Sequence, residues 1–187
     1  GVSAETGAAY FRSLVRYLTT TLDVDYTFIA VPLADEPSRL ETLAFCHRGQ
    51  IVANVVYPLS GTPCEHVFGK SLRAYPQHVR QLFPHHQLLQ NMHAESYLGN
   101  PLFDSAGTPL GLFAIVDSKS IRDDELMHST LQIFAERAAA EIERQRAQTE
   151  LEKYRDHLED LVSERTADLV ATREEAVRAN QAKSEVL

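Results

Sequence analysis

The sequence is poor in cysteine and has no tryptophan. Its two cysteines, Cys46 and Cys64, cannot build a disulfide framework or a four-cysteine zinc site, so both thiols are expected to be free in a reducing compartment. No apolar run approaches the roughly 20 residues that cross a bilayer, and the first residues lack the basic and apolar segments of a signal peptide. We therefore expect a soluble, cytoplasmic chain without a membrane-spanning segment.

Positive charge is also scarce. The chain carries 18 Lys and Arg against 26 Asp and Glu, which gives a formal net charge of −8, and it has no dense basic run. Because nucleic acids and anionic lipid surfaces bind clustered positive charge, this balance argues against both as partners. Hydrophobic residues make up 44% of the chain and charged residues 24%, which is typical of a soluble folded protein.

Glycine and proline are missing from the whole chain after Gly111, although eight of each occur up to that point. Since these residues punctuate loops and turns, the end of the chain must be built differently from its beginning. Residues 141–187 carry 12 acidic and 8 basic residues, as an exposed helix would. The predicted parts are an N-terminal tail or cloning remnant over 1–6, a globular domain over 7–142 and a helical rod over 143–187. A first residue other than Met is typical of a piece excised from a longer protein.

Hydrophobic periodicity predicts the order of elements in the globular part. Phe11, Leu14, Leu18 and Leu22 recur at helical spacing, whereas several later runs have the length and composition of buried strands. The predicted helices cover 8–22 and 79–83, and the predicted strands cover 26–31, 40–46, 51–57, 71–75, 97–103 and 110–116. The last two strands are expected to form a hairpin around a polar turn that contains Gly and Pro.

The segment Thr62-Pro63-Cys64-Glu65 matches the capping box that starts a helix. Thr62 would be the N-cap, Pro63 the first helical residue, and Glu65 the side chain that reaches back to the cap. This role accounts for Glu65 without acid–base catalysis. Cys64, at the second helical position, is either a thiolate with a lowered pKa, serving as a redox sensor or a tetrapyrrole attachment point, or a small buried cysteine.

The end of the chain carries a heptad repeat. From Leu158 to Ala179 the spacing is 4, 3, 4, 3, 4, 3, and an overlapping phase through Leu151, Tyr154 and Leu161 makes the repeat slip, as at a stutter. A helix with such a narrow apolar stripe needs a partner, and a parallel homodimer is the simplest one. The predicted dimer interface, called the seam below, consists of Leu151, Tyr154, Leu158, Val162, Arg165, Leu169, Thr172 and Ala176.

The globular part resembles the GAF domain family at three places. These are residues 11–22 followed by Asp25-Tyr26-Thr27-Phe28-Ile29-Ala30, the block Tyr57-Pro58-Leu59-Ser60-Gly61-Thr62-Pro63-Cys64-Glu65, and the end Tyr97-Leu98-Gly99-Asn100-Pro101-Leu102 with Gly111-Leu112-Phe113-Ala114-Ile115. The resemblance implies an α+β fold, in which a GAF-like antiparallel sheet is flanked by helices and followed here by a long C-terminal coiled-coil helix. It also implies a sensory module with a possible small-molecule ligand. The sequence lacks the Asn-Lys-Phe-Asp-Glu signature of the cyclic-nucleotide-binding branch, so cyclic nucleotide is disfavoured.

Aromatic residues and one cysteine of this region are the candidate ligand-binding residues. They are Tyr57, Cys64, Phe68, Tyr75, Tyr97 and Phe113, and ordinary core packing is the alternative for most of them. The histidines have no standard zinc spacing, so a polar crossing loop is expected rather than a metal site. These histidines are His66, His78, His85, His86 and His93. The sequence names neither a ligand nor a cofactor.

The rod resembles the signalling helix of bacterial sensor histidine kinases. The resemblance rests on residues 158–169, Leu-Glu-Asp-Leu-Val-Ser-Glu-Arg-Thr-Ala-Asp-Leu, and on residues 179–187, Ala-Asn-Gln-Ala-Lys-Ser-Glu-Val-Leu. It implies a two-component system with a phosphoacceptor histidine just after Leu187 and a response regulator as the downstream partner of the kinase core. Neither His128 nor His157 stands in the acceptor motif, so no catalytic residue is assigned and this chain is not expected to be an enzyme by itself.

The alternative is a GAF sensor, or a dimerisation scaffold without a ligand, that is coupled to another output such as a diguanylate cyclase or a phosphatase. The coding sequence directly after Leu187 separates these hypotheses, because a Ser-His-Glu box there indicates a kinase.

Overall fold

The computed structural model of the chain describes residues 2–184, with side chains from residue 7 to residue 181. The chain divides into two compact units, Gly1–Gln145 and Arg146–Leu187. The helices are α1 (Val2–Leu22), α2 (Val79–Leu82), α3 (Gln87–Asn91) and α4 (Glu125–Ser184). The strands are β1 (Tyr26–Pro32), β2 (Arg39–His47), β3 (Gln50–Ile51), β4 (Val56–Pro58), β5 (Arg73–Tyr75), β6 (Ser96–Phe103) and β7 (Pro109–Asp117), and a 3₁₀ helix covers Pro63–His66.

All of these strands form one antiparallel sheet. The order of hydrogen-bonded neighbours is β3-β2-β1-β7-β6-β5, and β4 also pairs with β2. β6 and β7 form a long hairpin, whose polar turn is held by Asp104: its Oδ1 accepts the backbone N–H of Ala106 at 2.9 Å and that of Thr108 at 2.7 Å. The α+β fold with an antiparallel sheet and its closing hairpin is therefore confirmed.

Side chains of the sheet alternate between two core layers, because neighbouring residues on a strand point to opposite faces. The first layer contains Leu18 of α1, Leu131 of α4 and Phe113 of β7. The second layer contains Leu112 of β7 and Tyr97 of β6, and it is closed by the segment between β4 and β6. Each fully buried side chain of this size contributes roughly 1.5–3 kcal/mol, so both layers stabilise the unit.

The predicted strand over 51–57 is wrong, because the chain leaves the regular ladder between β3 and β4. Both of these short strands pair with β2, and residues 52–55 lie between them. Asn54 fills the gap: its side-chain N–H donates to Leu43 O at 3.3 Å, and its Oδ1 accepts from Thr42 Oγ1 at 3.1 Å. Side-chain bonds of this kind compete with strand pairing.

α3 is an additional helix, in a segment for which the sequence predicts only a crossing loop.

α4 begins directly after two acidic residues, Asp123 and Asp124. Met127 N–H donates to Asp124 Oδ1 at 2.9 Å, so Asp124 caps the helix. The expected long C-terminal helix is confirmed over Glu125–Ser184, and residues 185–187 lie outside the described residues. Every described side chain from residue 149 to residue 181 is exposed. Among the helices of residues 2–184, none combines the length and the apolar composition that a bilayer span requires.

Candidate functional site

Two tyrosine hydroxyls and one thiol meet in the second core layer. Tyr57 comes from β4, Cys64 from the 3₁₀ helix and Tyr97 from β6, and all three side chains are buried. Tyr97 Oη donates to Cys64 Sγ at 3.4 Å, and Tyr57 Oη lies 3.4 Å from the same sulfur. The structure thus brings together three of the predicted ligand-binding residues through direct polar contacts.

Burial controls the acidity of this cluster. The loss of solvation raises the pKa of Cys64, although the hydrogen bonds with Tyr57 and Tyr97 act in the opposite direction. Burial also raises the pKa of both tyrosines well above the ordinary value. The thiol therefore stays protonated at neutral pH, and the hypothesis of a thiolate with a lowered pKa is wrong. The geometry supports a small buried cysteine instead.

Glu65 has a structural role, but its partner differs from the predicted one. Its Oε2 accepts the backbone N–H of Gly61 at 2.8 Å, whereas Thr62 Oγ1 donates to Leu59 O at 2.7 Å. The element is a single 3₁₀ turn, Pro63–His66, in which no side-chain bond caps the first N–H groups. Gly61, with a φ of 75°, adopts the left-handed conformation that bends the backbone ahead of this turn. The capping box is therefore wrong in detail, although Glu65 still stabilises the turn.

Phe68 and Tyr75 lie at the edge of the same layer and are partly buried. The ring centroid of Tyr75 lies 6.2 Å from that of Tyr97 and 5.4 Å from that of Phe83. A row of aromatic rings thus leads from the buried cluster to the margin of the layer. Burial raises the pKa of Tyr75, whose hydroxyl remains a neutral hydrogen-bonding group at physiological pH.

Phe113 does not belong to this group. It is fully buried in the first core layer, on the face of the sheet that packs against α1 and α4. Its neighbours Leu112 and Ala114 take the face that carries the cluster. The assignment of Phe113 to a shared ligand pocket is therefore wrong, because the sheet separates it from Tyr57, Cys64 and Tyr97.

His86 joins the second layer, although the sequence pattern assigns it only to a polar loop. Its Nδ1 accepts the backbone N–H of Leu89 at 3.4 Å and so caps α3. Its ring centroid lies 5.9 Å from that of Tyr57, and its Nε2 is buried without a hydrogen-bond partner among the described residues. Burial lowers the pKa of His86, which favours the neutral ring. The available sequence signal was its place directly before the apolar turn of α3.

Two other histidines, His66 and His78, have partners outside this cluster. His66 Nδ1 lies 2.5 Å from Tyr75 Oη, and His78 Nδ1 lies 3.0 Å from Glu95 Oε1. Within the part of the chain that the structure describes, no group of three or more His, Cys, Asp or Glu side chains is placed to hold a metal ion.

Residues 8–142 match the sequence profile of the GAF domain family. This stretch is more than half of the chain, and it contains the whole sheet and the residues of both core layers. The chain belongs to the GAF domain family. The resemblance of the globular part is thereby confirmed, and the buried Tyr57–Cys64–Tyr97 cluster lies inside a GAF sensory domain.

Solved GAF structures share this fold at low sequence identity. The GAF domain of Acinetobacter phosphoenolpyruvate-protein phosphotransferase has a TM-score of 0.61 and 15% identity, over 77% of this chain and 86% of that one. The GAF-B domain of DevS from Mycobacterium smegmatis has a TM-score of 0.60 and 18% identity, over 78% and 98%. A type II free methionine-R-sulfoxide reductase from Thermoplasma acidophilum has a TM-score of 0.60 and 17% identity, over 76% and 96%. A search of the curated proteins finds no match.

The seam of this GAF chain lies on the exposed part of α4. The exposed fraction is 70% for Leu151, 58% for Leu158, 64% for Val162 and 70% for Leu169. The other seam residues, Tyr154, Arg165, Thr172 and Ala176, are also exposed. All of them are therefore accessible to a partner, and the dimer stays a prediction.

Proposed function

We propose that this chain is the GAF sensory module of a cytoplasmic two-component sensor histidine kinase and that it acts as a parallel homodimer. In this proposal, α4 transmits a change in the GAF domain to a kinase core that follows Leu187. The kinase core then passes its phosphoryl group to a response regulator. The observation that carries the proposal is the heptad-spaced, exposed apolar seam on α4.

The seam supports a dimer because its apolar side chains have the spacing of a coiled coil. Leu158, Val162 and Leu169 are among the large hydrophobic residues that the single chain leaves exposed. Removing such surface from water is worth about 25 cal/mol per Å² of apolar area. A second copy of the same helix supplies a matching seam, and a parallel pair aligns the two seams in register.

The candidate ligand residues of the sensor are Tyr57, Cys64, Phe68, Tyr75 and Tyr97. They share one core layer under a segment of short helices and turns, a type of structure that opens more readily than a packed sheet. The layer combines aromatic surface with tyrosine hydroxyls and one protonated thiol. This combination suits a small, mostly apolar ligand with few polar groups.

A kinase fusion tests the proposal. The chain would replace the sensor of a well-characterised histidine kinase, ahead of the dimerisation and ATP-binding domains of that kinase. The autophosphorylation of the fusion protein would then be measured. We expect the wild-type fusion to be active and the Leu158→Lys/Leu169→Lys fusion to lose most of that activity. The matched control is Val170→Lys/Val177→Lys, which changes two exposed apolar residues just outside the seam and should leave the activity intact.

Equal activity of the seam variant and the wild type would contradict the proposal. A parallel fusion to a diguanylate cyclase core addresses the alternative output. Seam-dependent activity of the cyclase fusion together with an inactive kinase fusion would favour that alternative.

A further inference from the structure

An open pocket of about 400 Å³ lies beside β5, at the margin of the second core layer. It is lined by His66, Lys70, Arg73, Ala74 and Tyr75. A cavity of this size falls in the range of small-molecule sites, about 300–1,000 Å³. Apart from Tyr75, these residues are outside the set that the sequence assigns to a ligand.

Local structure brings the two cationic residues of the pocket, Lys70 and Arg73, together. Gly69, with a φ of 65°, provides a left-handed turn directly before Lys70. Lys70 N–H donates to Val67 O at 2.9 Å, and Lys70 Nζ donates to Glu65 O at 2.8 Å. Arg73 follows on β5, at the end of the sheet order, where it pairs with Gly99 of β6. The turn and the outer strand thus place both side chains at the same opening.

The positive charge of this pocket is not neutralised by the chain. Among the side chains of residues 7–181, no carboxylate forms an ion pair with Lys70 or Arg73. The nearest acidic residue in the sequence, Glu65, contributes its backbone carbonyl to Lys70 while its carboxylate accepts from Gly61. Two cationic side chains without a carboxylate partner among the described residues therefore lie at one opening, in a protein whose net charge is −8.

An aromatic wall completes the pocket. Tyr75 Oη lies 2.5 Å from His66 Nδ1, and the Phe83 ring contacts both, at centroid distances of 5.4 Å from Tyr75 and 5.5 Å from His66. The Tyr75 ring in turn approaches Tyr97, at 6.2 Å. A ligand in this pocket would therefore touch a ring that packs against the buried cluster of the GAF domain.

We propose that this pocket binds a phosphate group, with Arg73 and Lys70 as its cationic partners and Tyr75 as the surface for any organic part. The Arg guanidinium donates two parallel hydrogen bonds to an oxyanion, and the Lys ammonium adds a compact point charge. The phosphate belongs either to free inorganic phosphate or to a phosphate monoester. The phosphate site does not depend on the proposed kinase output, because phosphate binding is measured on this chain without any kinase core.

Isothermal titration calorimetry of the full chain, with phenyl phosphate and with inorganic phosphate, tests the site. We expect the wild type to bind saturably. The affinity of Lys70→Gln/Arg73→Gln should be lower by about tenfold or more, because two charge-assisted contacts disappear. Both residues are exposed, so this variant should keep the wild-type thermal unfolding transition. The matched control is Arg12→Gln/Arg16→Gln, which removes the same charge from exposed positions on α1 and should bind like the wild type.

Tighter binding of phenyl phosphate than of inorganic phosphate would support a phosphate monoester that uses the Tyr75 ring. Equal affinities would support free phosphate. The proposal is overturned if neither probe binds saturably, or if the folded Lys70→Gln/Arg73→Gln variant binds both probes as the wild type does.

Discussion

Arg48 Nε donates to Asp25 Oδ1 at 2.7 Å, which ties the turn after β2 to the start of β1. The other carboxylate oxygen of Asp25 accepts the backbone N–H of Ser118 at 3.1 Å and also the Ser118 hydroxyl. Burial raises the pKa of Asp25, but these hydrogen bonds outweigh it and lower the pKa to about 2. Asp25 thus joins three segments of the GAF unit through one ionised side chain.

We predict that this carboxylate makes stability depend on acid pH. Because the folded-state pKa lies below the unfolded value, the stabilisation is complete above about pH 5 and is lost as the pH falls toward 2. Asp25→Asn should cost about 2 kcal/mol in urea unfolding at pH 7, and the difference from the wild type should shrink by about 1 kcal/mol at pH 3. Asp35→Asn, at an exposed loop position, is the control. A difference that is the same at both pH values would contradict this role.

Gly111 is required by close strand packing. A Cβ atom at this position would collide with the backbone oxygen of Ala30 on β1, which cannot move without breaking the sheet. We expect Gly111→Ala to destabilise the GAF unit by on the order of 2–4 kcal/mol in urea unfolding. At Gly7 a Cβ would meet only the flexible end of Gln145, and alanine is the better helix former there. Gly7→Ala should therefore be neutral or stabilising, and equal losses in the two variants would contradict this account.

The Cys64 thiol should be slow to react. It is buried, its pKa is raised by burial, and both tyrosine hydroxyls contact its sulfur. In a Cys46→Ser background, we expect Cys64 to react with a disulfide reagent at least about a hundredfold more slowly than a peptide thiol, because the layer must open first. Urea should restore the full rate. Reaction at the peptide rate in the native protein would place Cys64 at the surface.

Hydrophobic periodicity predicts those helices and strands whose apolar pattern lies within the element itself. Helical spacing predicts α1, and buried apolar runs predict β1, β2, β6 and β7. The four strands lie within one residue of the predicted bounds, whereas α1 ends at Leu22 as predicted but begins at Val2, six residues before the predicted start. The break between β3 and β4 was missed, since the alternation over 51–57 fits one continuous strand. The bonds of Asn54 that replace regular pairing are contacts with a different strand, which sequence spacing does not reveal.

The candidate site was predicted only in part, because residue type does not specify the face of a strand. Tyr57, Cys64 and Tyr97 meet in one core layer, and their role in ligand binding stays a prediction. Phe113, in contrast, is one residue out of phase with the face that carries them. His86 and the Lys70–Arg73 pocket depend on where a short helix and a glycine turn place side chains in space. The placement of these side chains depends on tertiary structure, so the spacing of residues in the sequence does not predict it.

Arg165 is expected to weaken the seam at a position that the heptad gives to an apolar residue. Together with the slip in heptad phase upstream, the charged Arg165 would leave two registers of the coiled coil with similar energies. A signal can shift the equilibrium between two such registers. Arg165→Leu should stabilise the dimer by on the order of 1 kcal/mol and lock the kinase fusion in one activity state. Lys153→Leu, outside both phases of the seam, is the control. An Arg165→Leu fusion that keeps its basal autophosphorylation and its response would show instead that Arg165 simply extends to an acidic neighbour.

Sedimentation equilibrium of the chain, on the order of tens of micromolar, tests the central claim most directly, because it measures self-association without any output domain. We predict a dimer of the 21.0 kDa chain for the wild type and for Val170→Lys/Val177→Lys. Leu158→Lys/Leu169→Lys should be a monomer whose GAF unit still unfolds cooperatively, because lysines facing their own copies in a buried seam are costly. A monomeric wild type at this concentration would contradict signalling through a dimeric C-terminal helix.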